Sequence, residues 1–245
     1  MNIYEVKSMR DRLEGNTYPG RGIVIGKSAD GKHAVTAYFI MGRSANSRNR
    51  VFEVQNGLVR TTPYDASKVE DPSLIIYAAL RKYENHVIVT NGDQTDTVYE
   101  FLTRGKTFAE ALDTRCFEPD APNFTPRISG MLTFQGGDFT YRMNILKSAD
   151  PLGTACVREN FAYPALPGLG HFLHTYITDG NPIPTFRGEP ERVSIPEDLN
   201  LFTREIWENL DAQNRVSLYT RYTDPVTGEY EERLINANGE GAKLK

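Results

Sequence analysis

Nine residues, Gly42-Arg43-Ser44-Ala45-Asn46-Ser47-Arg48-Asn49-Arg50, carry three guanidinium groups directly after an apolar run. Guanidinium groups make paired, charge-assisted hydrogen bonds to phosphate and carboxylate oxygens. Arg43, Arg48 and Arg50 can therefore neutralise an anion, with Ser44, Asn46, Ser47 and Asn49 as small neutral donors. The cluster fits equally a solvated turn whose arginines meet surface carboxylates. A second polar stretch, TNGDQTDT at residues 90–97, follows a β-type run and leads into a helical pattern. Such a junction gathers side chains, here including Asn91 and Asp93, and free helical N–H groups at one sheet end. It also reads as a turn capped by Asp93 or Thr95. Glu118 and Asp120 occupy an irregular segment ahead of FTPRI, where a partly buried carboxylate can act as a base and an exposed one has no such role. Arg127, at the end of that segment, can pair with the carboxylate or meet a substrate.

His171 and His174 are three apart; on a helix they would share a face and can hold a metal, while on a strand they point to opposite faces. No third ligand has suggestive spacing, so no metal site is expected. Cys116 and Cys156 lack any nucleophile or metal signature and are expected to be ordinary buried thiols. G-x-S-x-G, P-loop and G-x-G-x-x-G patterns are absent; Gly20-Arg21-Gly22 lacks the rest of the dinucleotide fingerprint.

The chain has 245 residues, 24% charged and 39% hydrophobic, which describes a globular protein and one core-forming domain over residues 1–245, with residues 1–19 as an N-terminal extension. Thirteen Tyr and 12 Phe against a single Trp suit β-rich packing. A net charge of -4 argues against broad capture of nucleic acid, so any anion site must be local. The opening residues lack a signal-peptide core, and no run of about 18 apolar residues occurs. With only two cysteines, the expectation is a cytoplasmic protein without membrane contact.

The elements that must position these residues begin with a hairpin over residues 22–41, turning at Asp30-Gly31. GRSANSRNR follows as a loop, and a second hairpin turns at Asn56-Gly57. Residues 71–84, DPSLIIYAALRKYE, predict a helix with Asp71 as cap and Pro72 in its first turn. A buried strand over residues 86–90 leads to a helix over residues 96–102, stopped by Gly105, and Thr107 with Glu110 forms a capping box for another. A strand starts at Arg127 and returns through Gly136-Gly137. Residues 149–170 are expected to be irregular, residues 171–177 a strand or short helix, residues 196–213 an amphipathic helix, and residues 216–235 a final hairpin. This order gives an α+β fold of mainly antiparallel strands with helices covering sheet faces.

Taken in order, the hairpin containing GRGIVIGK, then R-S-x-x-x-R, Tyr77, TNGDQTDT, and F-E-x-D before T-P-R-I resemble the archaeal-type IMP cyclohydrolase family and its bacterial relatives. The resemblance covers about residues 20–146. It implies a four-layer αββα sandwich like that of the N-terminal-nucleophile hydrolases, and without a Ser, Thr or Cys as first residue no self-processing is expected. It also implies dehydrative ring closure of 5-formamidoimidazole-4-carboxamide ribonucleotide to IMP, without metal or cofactor, in a self-associating protein. By position, Arg48 matches the family's active-site arginine, with Asn49-Arg50 allowing a two-residue slip. Tyr77 matches a helix tyrosine and Glu118 the carboxylate. Arg43 or Arg50 with Arg127 would hold the 5′-phosphate, and Asn91 with Asp93 would contact base or ribose.

Overall fold

Side chains that alternate between two cores build both sheets of this computed structural model, which describes residue 2, residues 4–69 and residues 76–239. After α1 (Met9–Leu13), β1 (Arg21–Lys27) pairs antiparallel with β2 (Ala34–Met41). Ile23, Ile25, Tyr38 and Ile40 face one core, while Val24, Val35, Ala37, Phe39 and Met41 face another, as a strand's period of two requires.

The GRSANSRNR segment, expected as a loop, contains the one-turn helix α2 (Ala45–Arg48). Ser44 and Ser47 cap it reciprocally, and this short-range pairing is what converts the turn to helix. β3 (Val51–Gln55) and β4 (Leu58–Thr62) then turn at Asn56-Gly57, both with positive φ. Residues 70–75, including Asp71 and Pro72 of the expected helix, lie outside the described residues. The remainder of that expected helix is a strand, β5 (Tyr77–Tyr83), paired between β4 and β6 (His86–Thr90). A bulge at Ala79 explains the misleading pattern: Val59 faces Leu80 while Arg60 faces Ala78. Tyr77 and Leu80, three apart, thereby reach the same core, and three-residue spacing imitates a helix.

α3 (Gln94–Thr103) and α4 (Phe108–Asp113) follow, the latter with the expected Thr107–Glu110 capping box. β7 (Arg127–Gln135), β8 (Asp138–Ser148) and β9 (Cys156–Pro164) complete a seven-stranded antiparallel sheet in the order β3-β4-β5-β6-β7-β8-β9. β9 corrects the irregular reading of residues 149–170. Its inward face, Val157, Phe161 and Tyr163, is interrupted by Glu159, which is neutralised by Lys147 at 2.9 Å, and Pro164 is tolerated because this is an edge strand.

The second sheet is six-stranded: β11 (Glu191–Ser194), β10 (Leu169–His174), β1, β2, β12 (Arg215–Thr223) and β13 (Tyr230–Asn236), all antiparallel. α5 (Leu199–Asn209), capped by Asp198, and α1 bury Met9, Leu13, Phe202 and Ile206 against its outer face. α3 and α4 bury Val98, Phe108 and Leu112 against Ile88 and Met131 of the other sheet. The largest apolar cluster lies between the sheets.

Polar links join the two sheets across that core. Tyr38 on β2 and Tyr77 on β5 share a 2.8 Å hydrogen bond, Tyr141 on β8 bonds His171 on β10 at 2.6 Å, and Asn236 on β13 pairs with both backbone groups of Phe52 on β3. Cys116 is exposed and Cys156 half-buried, so neither is the buried thiol expected from composition. Among the described residues no helix is long and apolar enough to cross a membrane.

Candidate functional site

The strand registers bring Arg21, Arg50, Tyr77 and Arg127 to one end of the sandwich, because each stands at or just before a strand start there. Arg21 faces Ile40 near the end of β2, Thr61 faces Tyr77, and Thr90 at the end of β6 faces Ser129. Arg21 shares the parity of Ile23 and Ile25, so its side chain enters the inter-sheet space. Its Nε is buried and makes no hydrogen bond among the described residues. Burial would lower its pKa, yet the acidic groups Tyr18, Glu118, Tyr176 and Tyr77 around it raise it, and the guanidinium stays charged.

Of the three clustered arginines, only Arg50 turns inward, at 4% exposure, with its Nε donating to Ser47 O at 3.0 Å. Burial lowers its pKa and the charge of Arg21 adds to this, against the opposing pull of Tyr77, Tyr38 and Glu118. Arg48 stays outside the cluster. Its Nε donates to Gly42 O at 2.9 Å and its Nη2 to Asn214 Oδ1 at 3.0 Å, so it clamps the turn that aims Arg50. Arg43 is also outside, held by Asp179 and Gly180 O with its guanidinium over the Tyr18 ring. Within GRSANSRNR both sequence readings apply, residue by residue.

Tyr77 is 4% exposed and lies on a strand, not the helix expected for it. Burial raises its pKa, partly countered by Arg50, Tyr38 and Arg21, so the phenol is protonated at neutral pH. Glu118 is 7% exposed, with its N–H donating to Thr125 O. Burial raises its pKa; Arg21, Arg127 and Arg50 pull it down, and Asp120 adds to the rise. Arg21, Arg50, Tyr77 and Glu118 thus shift one another's proton affinities inside the buried core, with Tyr38 hydrogen-bonded to Tyr77.

The residues around TNGDQTDT stand behind it. Asn91 Oδ1 accepts from Ile128 N and Gln94 Nε2, and its Nδ2 donates to Pro126 O, so the amide is committed to fixing the start of β7. Asp93 bridges Arg127 at 2.7 Å and Arg115 at 2.5 Å, and Arg127 also donates to Gln94 Oε1. Burial would raise the Asp93 pKa, but these two arginines lower it. A Cβ at Gly92 would meet Arg127 Nη1 and Gln94 Oε1, so a larger residue there would have to displace this hydrogen-bonded pair. On the other flank Thr125 Oγ1 donates to Asp120, which forces Tyr176 OH, 2.6 Å away, to donate to Thr125.

His171 and His174 lie on β10 and point to opposite faces. His171 stacks on Tyr163 and bonds Tyr141, while His174 bonds Tyr176 O and stacks on Phe172. Among the described residues no group of three or more His, Cys, Asp or Glu stands close enough to hold a metal. Sequence reasoning missed Arg21 and Tyr38. The available signal was parity: Arg21 is a charge at the head of an apolar strand, in phase with its buried isoleucines.

Buried guanidinium groups and phenols facing a carboxylate, between two antiparallel sheets, make an arrangement suited to stabilising a developing oxyanion beside a proton carrier. A family model described as IMP cyclohydrolase-like protein matches residues 18–229, and the chain belongs to that family. It is similar to the IMP cyclohydrolase of Methanopyrus kandleri, 34% identical over 116 residues, 46% of this chain and 57% of that protein. The IMP cyclohydrolase of Methanococcus aeolicus is 29% identical over 163 residues, 65% of this chain and 74% of that protein. That of Methanocaldococcus jannaschii is 29% identical over 116 residues, 47% and 56%. The chain therefore spans little more than half the length of the first and third of these relatives.

Proposed function

We propose that this protein is an IMP cyclohydrolase, closing the purine ring of 5-formamidoimidazole-4-carboxamide ribonucleotide with loss of water, on a four-layer αββα sandwich of the N-terminal-nucleophile type. The observation that carries the reading is the convergence of Arg50, Arg21, Tyr77 and Glu118 in one buried cluster, in a chain of this family.

Nucleophile and electrophile belong to one substrate molecule, so holding the reactive rotamer supplies proximity. As the carboxamide nitrogen adds to the formyl carbon, the formyl oxygen gains negative charge, which Arg50, Arg21 and Tyr77 stabilise. Tyr38 donating to Tyr77 leaves the Tyr77 proton free for that oxygen. Glu118, with its pKa raised by burial, takes the proton from the nitrogen and passes it to the formyl oxygen; the resulting hydroxyl then leaves together with the proton of the formamide nitrogen as water, forming the ring C=N bond. Arg43, exposed beside Tyr18, takes the 5′-phosphate in exchange for Asp179. Arg127 and Asp93 hold the Glu118 side in place, and Arg48 and Asn91 fix the two backbone turns.

Purified protein should convert the formamido ribonucleotide to IMP, followed by absorbance and chromatography. Glu118→Gln should lower kcat by about a hundredfold or more with the fold retained. Absence of IMP at high enzyme concentration would overturn the activity, and an active Glu118→Gln would overturn the role of Glu118.

A further inference from the structure

The chain's two cysteines stand side by side. Cys116 is exposed, two residues ahead of Glu118, and Cys156 opens β9 opposite Ser148. Burial raises the Cys156 pKa and the Cys116 thiol adds to the rise by hydrogen bonding and by charge, while Arg158 and the Phe117 N–H lower it. Arg158 ties the same segments together, Nη2 donating to Arg115 O at 2.8 Å and Nη1 to Cys156 O at 3.4 Å. Phe117 meets Phe124 edge-on at 5.5 Å, and the backbone then turns so that Glu118 N–H reaches Thr125 O at 2.9 Å. The segment carrying Glu118 and Asp120 therefore touches β9 at the sulfur pair.

We propose that Cys116 and Cys156 are a thiol-oxidation site, forming a reversible intramolecular disulfide that ties the Glu118 segment to β9. The oxidant is a small-molecule disulfide. Cys116 thiolate attacks one of its sulfurs, giving a mixed disulfide and expelling one small thiolate. Cys156 thiolate then attacks the Cys116 sulfur and expels the second. The protein loses two electrons and two thiol protons, and the small disulfide gains both as two thiols. Burial and the neighbouring Cys116 push the Cys156 thiol up, so the first attack falls to exposed Cys116, while Arg158 and Phe117 N–H favour the Cys156 thiolate in the second. Tethering two residues from Glu118 restricts the movement it needs to take and pass on a proton. This consequence, unlike the disulfide itself, rests on the proposed cyclohydrolase activity.

The test exposes full-length protein to oxidised glutathione and reads thiol titre, intact mass, a Cys116–Cys156 cross-linked peptide and turnover. Expected are loss of both thiols with no retained glutathione, the cross-linked peptide, a several-fold fall in kcat, and recovery with dithiothreitol. Cys156→Ser should instead trap one glutathione on Cys116, and Cys116→Ser should turn over normally and resist the oxidant. Retained glutathione on the wild type, two persisting thiols, or disulfide-linked dimers would overturn the site. A cross-link that leaves kcat unchanged would overturn its control of Glu118. A cross-link in a protein without cyclohydrolase turnover would leave the site standing and refute the activity instead.

Discussion

Removing one hydroxyl of the Tyr38–Tyr77 pair should cost more than removing both. The oxygens are 2.8 Å apart, one on each sheet, and the side chains are 1% and 4% exposed. Either single Phe substitution strands the other hydroxyl in the core, at a cost of about 1–3 kcal/mol, whereas replacing both leaves two apolar rings of nearly unchanged shape. With about 1.5 kcal/mol for each single variant and about 1 kcal/mol for the double, the coupling is about 2 kcal/mol. For a chain of this size each kcal/mol moves Tm by about 2–4 °C, so the double variant should lie about 2–4 °C below wild type where additivity of the two single losses would put it about 6–12 °C below. The same set divides function from stability: kcat should fall in Tyr77→Phe and in the double variant, and far less in Tyr38→Phe. Losses that add within about 0.5 kcal/mol would refute the buried pair, and equal kcat losses in both single variants would refute Tyr77 as the oxyanion donor.

Arg50→Met should lower kcat by about 10²–10³-fold, the usual loss for a donor to a developing oxyanion, while Arg48→Met keeps near wild-type turnover with a modest fall in Tm; the reverse order, read by steady-state kinetics, would move the site to Arg48. His171, 4% exposed, has its pKa lowered to about 4 by burial and by the charge of Arg192. A depressed histidine pKa means that stability is fully present above the unfolded value near 6.5 and is lost as pH falls towards about 4, a drop of about 3 kcal/mol. His171→Gln, which keeps a polar partner for Tyr141, should flatten that part of the stability curve measured by urea unfolding from pH 7 to 4; an unchanged slope would refute the assignment.

Local chemistry was legible wherever it closes within a few residues. Asn56-Gly57 and Gly136-Gly137 specify their hairpins because both residues of each pair accept positive φ, and the Thr107–Glu110 box and the apolar stripe of α5 specify helices. β9 was half-legible: its alternation is present but broken by Glu159, which makes sense only with Lys147 opposite. The Tyr77 strand was misread because the bulge at Ala79 replaces period two with a three-residue repeat, and its partners β4 and β6 decide the matter by supplying backbone hydrogen bonds. Tyr77 and Glu118 were found by the order of motifs, and the cluster they join was not.

The sequence by itself determined that cations gather after the second strand, that a carboxylate precedes T-P-R-I, and that the chain resembles the cyclohydrolase family over about residues 20–146. Only the tertiary structure decided which cation serves. Arg48 and Arg50 are chemically identical and two residues apart, yet α2 ends between them. The first guanidinium therefore turns back onto Gly42 O, and the second follows the parity of β3 inward with Phe52. Arg21 becomes visible as its neighbour only when β1 and β3 lie on facing sheets, because nothing local joins residues so far apart in the chain. Their common burial with Tyr38, Tyr77 and Glu118 sets the charges and proton affinities on which the proposed chemistry depends.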